Sequence, residues 1–409
     1  MFYLDAVLAF LVAMAVALLL TPLAARFARR VGAIALPSER GLAQRATPLL
    51  GGLAILAGVL VAAVIWLPGT IKLPHTAHAL PGSGGTVHTW AIIAGACVIT
   101  LVGAVDDIWD LPPLVKLTGQ IAAAVIAVEG GVVVTDVTLP FIGGLQFPNE
   151  GGVITVVWLV GLMNVVNFSD GVDGLAAGLC AIDGIAFSII AFDLHVPGAA
   201  ILAALTAGAS LGFLFHNYHP ASVFMGDSGA NLLGYLLGVA AVVGSLKTGA
   251  VVALVVPLVI LAVPFLDTGF VVAKRLKYGR KPWSADANHF HHRMARIGFS
   301  QRRTVAYLYA WSTLLAGVAV ALRFVPYSVH KGHHHYYQVG WLLVMIAIGI
   351  AAVAASAYLV YVLEILKFRS FRARELRRTD PDTTEHEIDE RVRREFETGE
   401  FERVGGAPR

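Results

Sequence analysis

Runs of about 20 apolar residues recur along this chain, and no other feature constrains its fold as strongly. A helix of that length crosses the ~30 Å hydrocarbon core of a bilayer. It also satisfies its own backbone hydrogen bonds where no water can. About eleven such runs fall at roughly 3–24, 49–67, 89–105, 113–129, 152–168, 174–192, 198–216, 228–246, 249–272, 304–324 and 338–363. Composition agrees: 57% of the 409 residues are hydrophobic and 14% are charged, whereas soluble domains carry about 25% charged residues. The expected fold is an all-α polytopic membrane protein of about eleven transmembrane helices over residues 1–366, with a charged cytoplasmic tail over 367–409. The first run ends in "RFARR" without a small-residue cleavage pattern, so it reads as a span and not as a removable signal. Cys97 and Cys180 both sit in apolar runs and read as buried thiols with no disulfide framework.

Basic residues give the orientation. With "RFARR" in the cytoplasm, all of the 30 Lys and Arg except Lys72, Lys247, Arg323 and Lys331 fall on cytoplasmic segments. That asymmetry sets membrane topology, and it puts the N-terminus outside and the C-terminus inside. Four segments on the predicted cytoplasmic face then hold most of the unusual chemistry. They are "VDDIWD" (105–110), "NVVNFSDGVDG" (164–174), "FMGDSG" (224–229) and "KPWSADANHFHHRMARIGFS" (281–300). Outer loops such as "LPGTIKLPHTAHALPGSGGTVH" are rich in Gly, Pro and His and poor in acids. Acids, amides, histidines and arginine gathered on one face suggest a single site assembled from several loops.

Asp106 and Asp107 stand side by side at the end of an apolar run, where adjacent carboxylates repel each other and resist desolvation. With Asp170, Asp173, Asp227, Asn164 and Asn167 they form an oxygen-rich, cysteine-free set. Such a set favours a hard cation, Mg²⁺ or Mn²⁺, over zinc. Magnesium commonly takes one or two protein carboxylates and completes its shell from water and a phosphate substrate. The glycines of "DGVDG" and "MGDSG" permit tight turns and close approach of backbone to a ligand. His289, His291, His292 and Arg293 supply cationic donors that suit a diphosphate. The chemistry implied is metal-assisted phosphoryl transfer to a membrane-bound acceptor, with no nucleic-acid partner.

Each signal has an ordinary counterpart. A lone Asp at a helix end is usually a solvated cap, and "DGVDG" could be a plain connecting turn. Asn residues three apart in an apolar helix often only pack helix against helix. The basic loop could simply carry the orientation signal, and Lys116 could snorkel at a helix start. One by one these readings win; together, on one face, they do not.

The set "VDDIWDLPPLVK", "NVVNFSDGVDGLAAG", "FMGDSGANLLG" and "ADANHFHHRMARIGFSQRR" resembles the polyprenyl-phosphate N-acetylhexosamine-1-phosphate transferases over roughly residues 10 to 360. "RATPLLGGLAI" (45–55) is similar to that family's first cytoplasmic motif and "PFLDT" (264–268) to its ninth-helix motif. The loop "HFHHRM" resembles the branch that uses UDP-N-acetylglucosamine, although Met294 stands where Leu is usual. The triple-histidine run "KGHHHYYQ" (331–338) falls on the predicted outer side and reads as a polar outer loop. The resemblance implies a multi-pass enzyme of the bacterial plasma membrane with UDP-N-acetylglucosamine and polyprenyl phosphate as substrates, and it leaves room for a homodimer. Asp227 and Asn167 would ligate Mg²⁺. Asp106 and Asp107 would position the lipid phosphate or take its proton, and Lys116 would face the phosphates. Asp173 would accept from the uracil imide, Phe224 would stack on the base, and Asn164 and Asp170 would line the substrate site. His289, His291, His292 and Arg293 would hold the diphosphate, with His291 and His292 counted among the catalytic residues.

Two other readings remain open on sequence. UDP-MurNAc-pentapeptide as donor would keep the metal chemistry and alter the last loop. A proton-coupled transporter would also place acids in or near helices, although no internal repeat is evident and the acids cluster at helix ends.

Overall fold

The computed structural model describes residues 2–36, 46–72, 85–134, 136–139, 143–147, 149–244, 300–324, 328–331, 334–337 and 339–361, with isolated positions at 261, 262, 265, 387, 388, 390 and 391. Helices dominate: α1 (Phe2–Val31), α2 (Gly51–Trp66), α3 (Thr89–Trp109), α4 (Pro113–Glu129), α5 (Gly151–Ser169), α6 (Leu175–Asp193), α7 (Pro197–Asn217), α8 (Gly226–Gly244), α9 (Gln301–Phe324) and α10 (Val339–Tyr361). Each coincides with one predicted apolar run. The run at 249–272 and the tail lie almost wholly outside the described residues. Among the described residues sheet is confined to four antiparallel hairpins: β1 (Ile34–Ala35) with β2 (Thr47–Pro48), β3 (Thr70–Lys72) with β4 (Thr86–His88), β5 (Asp136–Leu139) with β6 (Gly143–Gln146), and β7 (Ser328–Lys331) with β8 (His334–Tyr337). Among the described residues α1, α3, α5, α6, α7, α8 and the Gln301–Ala321 part of α9 are long and apolar enough to cross a membrane. The chain is an all-α polytopic membrane protein.

Small residues bring the helices together. Lipid is as apolar as leucine, so helices associate by close packing and polar contacts, not by hiding from water. Ala6, Ala9, Ala13 and Ala17 recur every three or four residues along α1, and all are buried. Opposite them on α7, a Cβ at Gly208 or Gly212 would strike the carbonyl oxygens of Phe10 and Met14. Tyr235 of α8 is buried at the centre and donates its hydroxyl to Ile92 O at 3.1 Å.

The connections sort into two ends. The turns α1–α2, α3–α4, α5–α6 and α7–α8 open at one end of the bundle, while β3–β4, β5–β6 and the α6–α7 turn close the other. Helix α9 reaches both. Arg302 at its start donates from Nε to His219 O at 3.2 Å, beside the first end. Arg323 in its last turn pairs with Asp193 at 2.6 Å at the second. The β7–β8 hairpin, which carries His330, His334 and His335, follows Arg323 and so lies at the end away from the α7–α8 turn.

Two helix limits differ from the apolar pattern. α1 continues to Val31 through "RFARR", and α3 continues to Trp109, so Asp106 and Asp107 belong to its last turn instead of lying beyond it. An apolar run marks where lipid contact stops, whereas helical bonding stops only where the backbone is broken. Here the break is Asp110, with a left-handed φ of 51°, followed by Pro112 and Pro113. Cys180 is buried as expected, but Cys97 is only half-buried, because its face of α3 is not fully covered by neighbouring helices.

Candidate active site

The turns at the first end enclose a cavity of about 500 Å³ lined by residues of every one of those turns. Its floor is built from the end of α3 and the start of α8. Asp107 accepts the backbone N–H of Asp227 on Oδ1 at 2.7 Å and that of Ser228 on Oδ2 at 3.2 Å. These are the first amides of α8, which have no partner within their own helix, and the positive helix end favours an anion there. Asp107 therefore caps α8 from another helix. Gly226 makes this possible: its φ is +69°, and a Cβ there would collide with the Asp107 carboxylate.

Asp106 turns the other way. Its Oδ1 accepts the N–H of Leu111 at 2.8 Å, and its Oδ2 meets the Lys116 ammonium at 2.6 Å. The same ammonium lies 2.5 Å from Asp227 Oδ2. Asp227 Oδ1 accepts from Asn167 Nδ2 at 2.9 Å. Three carboxylates thus share one ammonium and one helix N-terminus. Asp170 lies close by, and burial together with the negative charges of Asp227, Asp107 and Asp173 raises its pKa well above the ordinary carboxylate range. A nearby divalent cation would reverse that pressure.

Whether this corner suits such a cation can be judged from its atoms. Among the described residues no three His, Cys, Asp or Glu side chains form a preformed metal cage. Asp227 Oδ2 is buried and is met by the Lys116 ammonium at 2.5 Å. Asn167 gives Asp227 its amide nitrogen, which leaves its amide oxygen for another partner. One or two carboxylates, an amide oxygen and an excess of negative charge fit magnesium, which relies on phosphate and water for the rest of its shell.

The opposite wall is formed by the 170–174 turn and the segment leading into α8. Asp173 accepts on Oδ2 from His219 Nδ1 at 2.8 Å and from Ala221 N at 3.1 Å. Phe224 is fixed by its backbone: its N–H donates to Pro48 O at 2.9 Å and its carbonyl accepts from Gly51 N at 3.1 Å. Gly52 N donates to Met225 O at 3.1 Å, and a Cβ on Gly52 would strike the backbone of Gly229. This explains "TPLLGG" physically: its glycines let α2 lie backbone to backbone against the segment that presents Phe224 and Asp227.

The structure gathers Asp106, Asp107, Asn167, Asp170, Asp173, Phe224 and Asp227 around the cavity, with Lys116 on its floor. Asn164 is placed elsewhere. It donates to Gln120 Oε1 at 2.9 Å and to Val160 O at 2.8 Å, while Gln120 donates to Asn231 Oδ1 at 2.8 Å and Asn231 to Asp227 O at 2.8 Å. Asn164 is thus the outer end of an amide chain behind Asp227. His289, His291, His292 and Arg293 lie outside the described residues. Gln120, Asn217, His219 and Asn231 were not singled out in the sequence. The signal that could have found Gln120 is a buried amide within an apolar run, and for His219 it is proximity to "FMGDSG".

Fold and cavity together define a polytopic membrane protein with an acid-rich cavity of about 500 Å³ at one end of its helix bundle. The family model described as glycosyl transferase family 4 matches residues 89–245, which run from α3 through α8. Over 324 residues the chain is 33% identical to the probable undecaprenyl-phosphate N-acetylglucosaminyl 1-phosphate transferase of Bacillus subtilis, covering 78% of this chain and 85% of that protein. It is 35% identical over 320 residues to the decaprenyl-phosphate N-acetylglucosaminephosphotransferase of Mycolicibacterium smegmatis, covering 73% and 77% respectively. A phospho-N-acetylmuramoyl-pentapeptide-transferase of Desulforamulus reducens is 32% identical over 297 residues, covering 68% and 83%. The chain belongs to glycosyl transferase family 4.

Proposed function

We propose that this protein transfers N-acetylglucosamine 1-phosphate from UDP-N-acetylglucosamine to a polyprenyl phosphate in the bacterial plasma membrane. An oxygen of the lipid phosphate attacks the sugar-bearing phosphorus of the donor. The bond from that phosphorus to the bridging oxygen breaks, UMP leaves, and polyprenyl-diphospho-N-acetylglucosamine remains. The observation that carries this reading is the cavity floor, where Asp106 and Asp227 meet a single ammonium and Asp107 caps α8 beside them, opposite an aromatic ring and a braced aspartate. The names of the relatives in Bacillus and Mycolicibacterium support the choice of sugar and lipid.

Asp227 and Asn167 would hold Mg²⁺, which supplies charge neutralisation for the diphosphate when bound. Lys116 places a point charge beside the transferring phosphoryl group. Asp106 orients Lys116 and, with Asp107, keeps the floor negative enough to require the cation. A phosphate monoester is largely ionised at neutral pH because its second pKa lies near 6, so positioning by these acids suffices and a strong base is not required. Phe224 offers a face for the uracil and Asp173 an acceptor for its imide N–H. His289, His291, His292 and Arg293 are assigned to the diphosphate by sequence alone. The basic-residue asymmetry supports a cytoplasmic site face.

The test is a donor screen with purified protein, polyprenyl phosphate and Mg²⁺, reading UMP release. UDP-N-acetylglucosamine is expected to be used at least tenfold better than UDP-GalNAc or UDP-MurNAc-pentapeptide. EDTA should abolish turnover and Asp227→Asn should reduce it about 10³-fold, a scale met when a phosphoryl clamp is lost. Use of the muropeptide donor instead would change the sugar and keep the chemistry; full turnover in EDTA would remove the metal from the reading.

A further inference from the structure

The 170–174 turn is held from outside by four neighbours. Asp173 Oδ2 accepts two hydrogen bonds, from His219 Nδ1 at 2.8 Å and from Ala221 N at 3.1 Å. Both come from the α7–α8 turn. His219 is itself anchored, since its carbonyl oxygen accepts from Arg302 Nε at 3.2 Å. Gly174 is gripped on both of its backbone groups: its N–H donates to Asn217 Oδ1 at 3.0 Å, and its carbonyl accepts the Tyr309 hydroxyl at 2.5 Å. Arg302 and Tyr309 both belong to α9, outside the span of the family match.

An aspartate side chain has only two soft torsions, and the two bonds on Oδ2 fix both. The hydrogen bonds described for this carboxylate all fall on Oδ2, which leaves Oδ1 for a ligand in the cavity. Asp173 lines the cavity, and His219 and Asp173 keep 30% and 15% of their side-chain surfaces exposed, so the pair is not in the packed core. A carboxylate that must recognise one N–H of a flat heterocycle gains affinity when its orientation is set beforehand. We propose that His219 is a positioning residue for nucleotide binding: it presents Asp173 Oδ1 to the imide of the pyrimidine, with α9 bracing the arrangement through Arg302 and Tyr309. This rests on the reading of Asp173 as a nucleotide contact.

The test compares His219→Ala, His219→Asn, Asp173→Ala and the double variant His219→Ala/Asp173→Ala in the full-length protein. The measurements are UMP affinity, KM for the UDP-sugar, kcat and unliganded melting temperature. Loss of one hydrogen bond to a carboxylate should weaken UMP binding and raise KM about tenfold, with kcat changed less than about twofold. His219→Asn should restore most of the affinity, because the Asn amide nitrogen sits close to the place of imidazole Nδ1. The double variant should bind no worse than Asp173→Ala alone. Unchanged UMP affinity in Asp173→Ala would overturn the nucleotide reading and this proposal together. Weakened binding in Asp173→Ala but normal binding in His219→Ala would overturn only the role of His219. A loss in kcat alone, or equal losses of melting temperature and affinity in the Ala and Asn variants, would show a merely structural histidine.

Discussion

The two walls of the cavity handle carboxylates by opposite means. On the floor, Asp106, Asp107 and Asp227 stand against one ammonium, that of Lys116, and one helix N-terminus. On the facing wall, Asp173 is matched by a histidine and a backbone amide. The floor is left with more negative charge than its surroundings neutralise, and in a medium of low dielectric such an excess is costly unless a cation joins it. On the wall, the Asp173 carboxylate is held by two hydrogen bonds. Under the proposed function the difference separates two tasks, in which one region would attract metal and phosphate while the other would hold a polar group still for recognition.

The largest expected effects come from the floor, where the adjacent acids should fail in different ways. Asp106→Asn keeps the acceptor for Leu111 N–H but loses the charge that orients Lys116, so transfer should fall by a factor of about 10² or more with the fold intact. Asp107→Asn can still accept one of the two α8 amides but turns an NH₂ toward the other. It should therefore lose transfer and also about 1–2 kcal/mol of stability, the usual scale of a lost N-cap. Transfer assays beside thermal melts of both variants decide this. Equal melting temperatures would break the distinction between a capping and a lysine-orienting aspartate; near-normal transfer in both would remove the pair from the reaction.

A smaller effect is expected on the facing wall. Phe224→Ala removes the ring without touching the backbone bonds to Pro48 and Gly51 that place it. Stacking on a base is worth about 1–3 kcal/mol, so KM for the UDP-sugar should rise about tenfold or more while kcat stays within about threefold. A fall in kcat with unchanged KM would assign Phe224 to the reacting phosphates and blur the division between the walls.

How much of this was legible in the sequence depended on the range of the interaction. Apolar run length is a local property, and it located every described long helix. The acids of the floor were legible as a group because each lies beside a turn at the same end of the bundle. What pairs with what was not, since Asp107 and Asp227 are 120 positions apart and their bond depends on how α3 leans on α8. Asn164 shows the same limit. An amide in an apolar helix looks alike whether it faces a ligand or another amide, and only packing against α4 decides that it meets Gln120. His219 carries no spacing signature, because its partner lies 46 positions earlier on a different turn.

The smallest expected effect lies behind the floor, at Gln120. This side chain is buried, with 5% of its surface exposed, and it links Asn164 to Asn231, which in turn holds the Asp227 carbonyl. None of these amides reaches the cavity, so the chain supports Asp227 without touching a substrate. Gln120→Leu preserves much of the volume but strands one hydrogen-bonding group on each neighbouring Asn. An unsatisfied buried polar group costs about 1–3 kcal/mol, although partners in a membrane bundle are often worth less, about 0.6 kcal/mol on average. The expected result is a stability loss of about 1–2 kcal/mol together with only a several-fold loss of transfer, well short of the floor variants. Gln120→Glu sharpens the test at a pH high enough to ionise it, since the carboxylate retains the acceptor for Asn164 and gives up the donor to Asn231. If the chain acts through Asn231, the Glu variant should lose as much transfer as the Leu variant. If it serves only to pack α4 against α5, Glu should be close to the parent. A loss of 10² or more in either variant would place Gln120 with the charged floor and end the separation between groups that react and groups that hold them.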